Sequence, residues 1–305
     1  MQRKSKSTQF NATHEVLFRF LLFACLFAIS YQVFFKWFSF EAVNVTNYFF
    51  AFCAFLLFPS NIWLEWKRFQ WSVDQHEIPR SDLYQAFFQG ILVSFFTPAF
   101  IATTFGRFGI KDRMRNLQWM GAGVLTGLAQ FTVTMCFAFG GSFYLFGVNR
   151  LSVTFAFFGA AVLSLTTYFF KFKFPSRLMR WKLIRDFQAL PPSPNKGRIF
   201  ILSMIRYAVF SVQFHLILFG FGVPFSLQQV FILMLSYGLV TLSPSILFGK
   251  LVLRELIAVA VFSWFAYPKE EIMLTAFFTW GINVVLPVLV ALIRISSTWK
   301  ARYFF

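Results

Sequence analysis

Long runs of almost uninterrupted apolar residues are the feature that most limits what this chain can become. A helix needs about 20 mostly apolar residues to cross a bilayer core. Runs near that length recur at Val16–Phe35, Thr46–Trp66, Leu83–Phe105, Leu117–Phe146, Leu151–Phe172, Ile199–Gly220, Phe225–Phe248 and Ile272–Ile293, with a shorter one at Glu255–Tyr267. In lipid every backbone N–H and C=O must be satisfied within the segment, so each run is expected to be helical. Charged residues make up only 13% of the 305 residues. A soluble domain carries roughly a quarter, so a soluble catalytic domain has no room here. The expected fold is all-α, a polytopic membrane helix bundle with about eight spanning helices plus a re-entrant or broken helix.

The net charge is +17. The basic residues lie between the apolar runs, as the positive-inside rule predicts for cytoplasmic loops. The expected partners are therefore anionic lipid headgroups, with no nucleic acid. With a basic N-terminus inside, Arg107, Lys111, Arg113 and Arg115 stay inside only if the third run enters and returns; Pro98 and Gly106 near its end favour such a break. Lys67, Arg68 and Arg80 then fall inside, as does the stretch Lys171–Arg198 with its eight basic residues. Lys36, Arg150 and Lys269 remain outside. Both termini are thus expected in the cytoplasm.

The chain is expected to form one membrane domain, 1–305, with a first half at 15–172, a linker at 173–198 and a second half at 199–305. Within the linker, Leu178, Trp181, Ile184 and Phe187 recur every three residues among basic ones, the pattern of an amphipathic helix at the interface. The halves echo one another weakly. An apolar run ends in Thr-Pro at Pro98 and in Ser-Pro at Pro244; a glycine follows (Gly106, Gly249), then an arginine (Arg107, Arg254). Repeats with helices broken at corresponding positions are common in transporters and lie near the substrate.

The stretches FPSNIWLEWKRFQW (from Phe58), FFQGILVSFFTPAFIATTFGR (from Phe87), GVLTGLAQFTVT (from Gly123), LSMIRYAVFSVQFHLILFGFGVPF (from Leu202) and LSPSILFGKLVLRE (from Leu242) resemble the flippase-like transmembrane region of bacterial lysylphosphatidylglycerol synthases. The resemblance covers most of the chain. It implies a bundle that binds and translocates a lipid with a charged headgroup. The chain ends at Phe305 without a soluble synthase domain, so it implies a stand-alone translocator. One departure stands out: relatives carry Gly-Glu and a nearby Arg after the first Pro, where this chain reads Ala102-Thr103.

Ionisable groups inside apolar runs cost about 2.5–3.5 kcal/mol each at a helix centre. Arg206, Arg107, Arg254 and Lys250 are therefore the expected contacts for a lipid phosphate, because a guanidinium pairs two phosphate oxygens through a planar fork. For Arg206 the alternative is snorkelling to the interface. Arg107 can equally mark the membrane edge, and Arg254 can pair with Glu255 or across the bundle. Gln213, His215 and Glu255 read as polar lining, and Glu65 as a charge near the inner interface. Pro98, Gly106 and Pro244 are the expected helix breaks. No zinc motif, nucleotide loop or nucleophile elbow is present, so no metal, cofactor or catalytic group is expected. The function that follows is translocation of a phospholipid or polyprenyl-phosphate-type lipid. The alternative is a non-transporting membrane subunit that scaffolds a lipid- or glycan-modifying enzyme.

Overall fold

The computed structural model describes residues 45–73, 79–96, 113–147, 151–170, 195–243 and 249–303. These residues form helices and no strand. They run α1 (Tyr48–Leu56), α2 (Phe58–Ser72), α3 (Arg80–Phe96), α4 (Arg113–Phe146), α5 (Leu151–Phe169), α6 (Lys196–Gly220), α7 (Leu227–Leu242), α8 (Gly249–Ser263) and α9 (Lys269–Trp280). A π-helical turn at Gly281–Val285 then leads into α10 (Leu286–Tyr303). The first apolar run, the basic linker helix, Pro98, Gly106, Arg107 and Pro244 lie outside the described residues.

Among the described residues five stretches are long and apolar enough to cross a membrane: Tyr48–Ser72, Gln118–Phe146, Leu151–Phe169, Lys196–Gly220 and Lys269–Arg294. Leu227–Leu242 is apolar but shorter. The side chains support a lipid setting. Phe155 is 62% exposed and Leu163 and Phe170 are each 70% exposed, an outward apolar surface that a water-soluble monomer rarely shows. The protein is therefore an integral membrane protein.

The run at Thr46–Trp66 is expected as one helix, yet it breaks at Leu57. The cause is local. Pro59 sits in the first turn of α2, where its missing N–H costs nothing, but a continuous helix would need that N–H and would crowd the ring. Asn47 caps α1 by accepting the Phe49 N–H at 3.0 Å. α7 ends at Leu242, two residues before Pro244, with Ser243 already extended, as expected when a proline disfavours the helical conformation of the residue ahead of it. A full capping box starts α7: Ser226 accepts from the Gln229 N–H while the Gln229 side chain accepts from the Ser226 N–H.

The long α4 is central and touches α2, α5, α6 and α7. Small residues bring α4 and α7 close. A Cβ on Gly141 would lie 2.7 Å from the Phe231 carbonyl oxygen, and one on Gly238 would strike Ala138 and the Phe157 ring. Membrane helices that cannot draw on a hydrophobic driving force associate through this kind of close backbone approach. Met135, Phe157, Phe214, Leu235, Phe262 and Ile272 fill the core on that side. A second cluster of Phe69, Leu83, Phe87 and Trp119 joins α2, α3 and α4.

The far end of α6 is tied to the start of α1. The Gly220 carbonyl accepts from the Thr46 N–H at 3.0 Å and the Asn47 N–H at 3.1 Å. The chain then turns through Gly222 at φ +85, a left-handed conformation open to glycine. A Cβ there would also press on Thr46 Oγ1.

Candidate functional site

A connected set of polar side chains runs through the apolar bundle where α2, α4, α6 and the π-turn meet. Arg206 is at its centre. It lies ten residues beyond Lys196, the first residue of α6, hence about 15 Å along the helix at 1.5 Å per residue. That places it well inside the candidate span Lys196–Gly220. Its side chain is held by partners inside the bundle. It reaches sideways to α2, where Arg206 Nε donates to Asn61 Oδ1 at 2.9 Å and Nη1 lies 3.2 Å from Glu65 Oε2. The guanidinium also covers the Phe210 ring at 5.0 Å, a cation–π contact.

Glu65 is shared. Arg68, one turn further along α2, donates from Nη1 to Glu65 Oε2 at 2.7 Å, the i,i+3 spacing that brings opposite charges together on a helix. Arg68 is 1% exposed. Its Nη1 donates to Gln130 Oε1 at 3.2 Å and its Nη2 to the Thr126 carbonyl of α4. Gln130 Oε1 also lies 3.5 Å from Arg206 Nη1. A charge removed from water is tolerable only when paired and hydrogen-bonded, and these contacts supply that. Glu65 is turned toward Arg68 and Arg206 as their counter-ion, and Arg68, expected as a loop cation, is a buried pillar of the bundle. Both follow from α2 extending to Ser72, past the apparent end of the apolar run.

From Asn61 the network continues to the π-turn. Asn61 Nδ2 donates to Asn283 Oδ1, and Asn283 Nδ2 donates to Gln213 Oε1 at 2.9 Å and to the Thr279 carbonyl at 2.9 Å. Gln213 Nε2 then donates to the Ala54 carbonyl of α1 at 3.0 Å. The π-turn frees a backbone register and points Asn283 inward; such turns are frequent at functional sites. Gln213, expected as polar lining, is fully buried and bridges three elements.

Arg254 and Glu255 form a second, smaller group on α8. Arg254 Nη2 donates to Glu255 Oε1 at 3.2 Å and to the Ala276 carbonyl of α9. Arg254, Phe214, Ser236, Tyr237, Ala276 and Thr279 line a narrow cleft between α6, α7, α8 and α9. Thr279 belongs to both places, since it lines the cleft and its carbonyl accepts from Asn283. His215 stays apart from both groups: its Nδ1 meets the Ser211 carbonyl at 2.7 Å on the same helix, and its ring packs edge-on to Phe225. Lys250 stands in the first turn of α8.

The expected residues Arg206 and Gln213 thus share one network, with Arg254 and Glu255 beside it. Asn61, Arg68, Gln130 and Asn283 are further members that the sequence alone does not single out. The one signal for them is the Glu65–Arg68 spacing. No family model, curated protein or solved structure matches the chain.

Proposed function

We propose that this protein moves a phospholipid or polyprenyl-phosphate-type lipid between membrane leaflets. The observation that carries the reading is Arg206, a guanidinium halfway along a membrane helix, turned into the bundle and one-fifth exposed. Intramembrane cations are costly and mark ligand or ion paths. Further support comes from where the family-like stretches fall. Asn61, Glu65 and Arg68 come from the first, Gln130 from the third, and Arg206 and Gln213 from the fourth, and all lie in one network. This accords with the resemblance to the flippase-like region of lysylphosphatidylglycerol synthases.

In this reading Arg206 receives the phosphate, with Arg254 at the neighbouring cleft and Arg107 and Lys250 as further cations along the path. The chain lies in a bacterial inner membrane with both termini cytoplasmic, about eight crossings and one broken element. Its halves are related: the end of α7, two residues before Pro244, is the break of the second half, and its counterpart at Pro98 lies outside the described residues. The test is purified protein in liposomes loaded with fluorescent lipids. Translocation should occur with wild type and fall with Arg206→Ala. Translocation unaffected by that change removes the arginine's role, and no movement of any anionic lipid removes the transport reading.

A second reading is a non-transporting subunit that scaffolds a membrane enzyme. The observation favouring it is Arg254, whose cation is met by its own neighbour Glu255 and by the Ala276 carbonyl. A stable co-purifying enzyme, with no lipid movement by the chain alone, would select this reading.

A further inference from the structure

Glu65 lies between two arginines of unequal standing. Arg68 holds it at 2.7 Å from the same helix and is 1% exposed; Arg206 holds it at 3.2 Å from another helix and is 20% exposed. The Glu65 side chain is itself 19% exposed, so the open flank of the trio is the Glu65–Arg206 contact. The buried flank is Arg68, gripped by Gln130 and the Thr126 carbonyl.

The trio is short of acceptors. Two guanidinium groups carry many N–H donors, and a phosphate accepts several at once in the planar geometry a guanidinium offers. Among the described residues Arg68 Nε is buried without an acceptor, and the Arg206–Gln130 contact is long at 3.5 Å. Among the described residues the charges are also out of balance: two arginines meet one carboxylate. A single phosphodiester charge would bring the trio to neutrality.

We propose that the Glu65 carboxylate is an internal substitute for a lipid phosphodiester, displaced from Arg206 by an arriving anionic headgroup while Arg68 keeps it paired. The inference rests on the lipid reading above and specifies its ligand: a headgroup with one uncompensated phosphate charge. Displacement leaves no carboxylate unpaired, because the Glu65–Arg68 pair moves as part of α2. The ligand enters a place where a cation is already desolvated and oriented, the condition under which a charged hydrogen bond is strongest. A zwitterionic headgroup would have to seat its ammonium beside Arg206 and is disfavoured.

The test uses the full chain in zwitterionic detergent, with binding of short-chain phosphatidylglycerol followed by native mass spectrometry or calorimetry. Short-chain phosphatidylcholine and diacylglycerol serve as comparators. Glu65→Gln should tighten phosphatidylglycerol by about tenfold and leave diacylglycerol unchanged, and Arg206→Ala should weaken phosphatidylglycerol by a similar factor. The double variant Glu65→Gln/Arg68→Gln removes carboxylate and buried cation together, so it keeps the answer readable if Arg68 alone destabilises the fold; it should tighten binding too. Folded Glu65 variants that bind phosphatidylglycerol no better than a phosphatidylglycerol-binding wild type overturn the displacement idea alone. Wild type and Glu65→Gln that both bind phosphatidylglycerol no better than diacylglycerol overturn the lipid-phosphate reading with it.

Discussion

Asn283 Nδ2 donates to Gln213 Oε1 at 2.9 Å, which fastens the π-turn between α9 and α10 to the second half of α6. Both side chains are buried, and the same Asn283 also accepts from Asn61 of α2. One amide therefore joins three elements that are far apart in sequence. Interhelical hydrogen bonds in membranes average only about 0.6 kcal/mol, but removing the hub leaves Asn61 and Gln213 partly unsatisfied, at about 1–3 kcal/mol for each buried group. Asn283→Ala should lower the melting temperature of detergent-purified protein, whereas Asn283→Gln, which keeps the amide, should lower it less. Equal melting of wild type and Asn283→Ala would refute the bridging role.

The guanidinium of Arg206 is used for shape as well as charge. Its Nε meets Asn61 and its Nη1 meets Glu65, a fork that an ammonium cannot reproduce. Arg206→Lys should therefore retain the fold but fail to restore full lipid movement in liposomes, falling between wild type and Arg206→Ala. Activity equal to wild type in the lysine variant would mean that charge alone suffices.

Close approach of α4 and α7 depends on two hydrogens. At Gly238 an added Cβ meets Ala138 and the Phe157 ring, and at Gly141 it meets the Phe231 carbonyl. Overpacking of this kind costs about 1–3 kcal/mol. Gly238→Val should broaden the size-exclusion profile and lower thermal stability. Gly159→Val serves as the control, since a Cβ at Gly159 has nothing within 4 Å, and should leave the profile unchanged.

Opposite ends of α6 should face opposite compartments. The helix runs from Lys196 to Gly220, about 36 Å at 1.5 Å per residue, and Gly197 and Phe225 are exposed at its two ends. In sealed right-side-out vesicles an impermeant maleimide should label Phe225→Cys and should reach Gly197→Cys only after the membrane is opened, if the basic end is cytoplasmic. The reverse pattern would invert the proposed orientation, and labelling of both from one side would remove α6 as a span.

Much of the bundle was legible because lipid imposes a length on every apolar run. The sequence boundaries of α5 and α6 lie within three residues of the observed ones, Leu151–Phe172 against Leu151–Phe169 and Ile199–Gly220 against Lys196–Gly220. The break at Leu57 escaped, although Pro59 was visible, because a proline that opens a helix and one that kinks it look alike in a continuous apolar run. The site was legible only in part. Arg206 and Gln213 stand out by their chemistry in oily surroundings. Asn61, Gln130 and Asn283 are single amides in similar surroundings, and their significance lies in partners tens to hundreds of residues away. Glu65 and Arg68 carried a local signal in their spacing, but an apolar run counted only to Trp66 put them at the margin and hid it.

The bond between the Gly220 carbonyl and the two N–H groups at Thr46 and Asn47 has a mechanical consequence. Gln213, two turns back along α6, also grips the Ala54 carbonyl of α1. Splinted at two levels, this pair of helices can tilt or slide only as a couple. In the proposed transport cycle α1 and α6 are therefore expected to move together, with the neighbouring helices shifting against them.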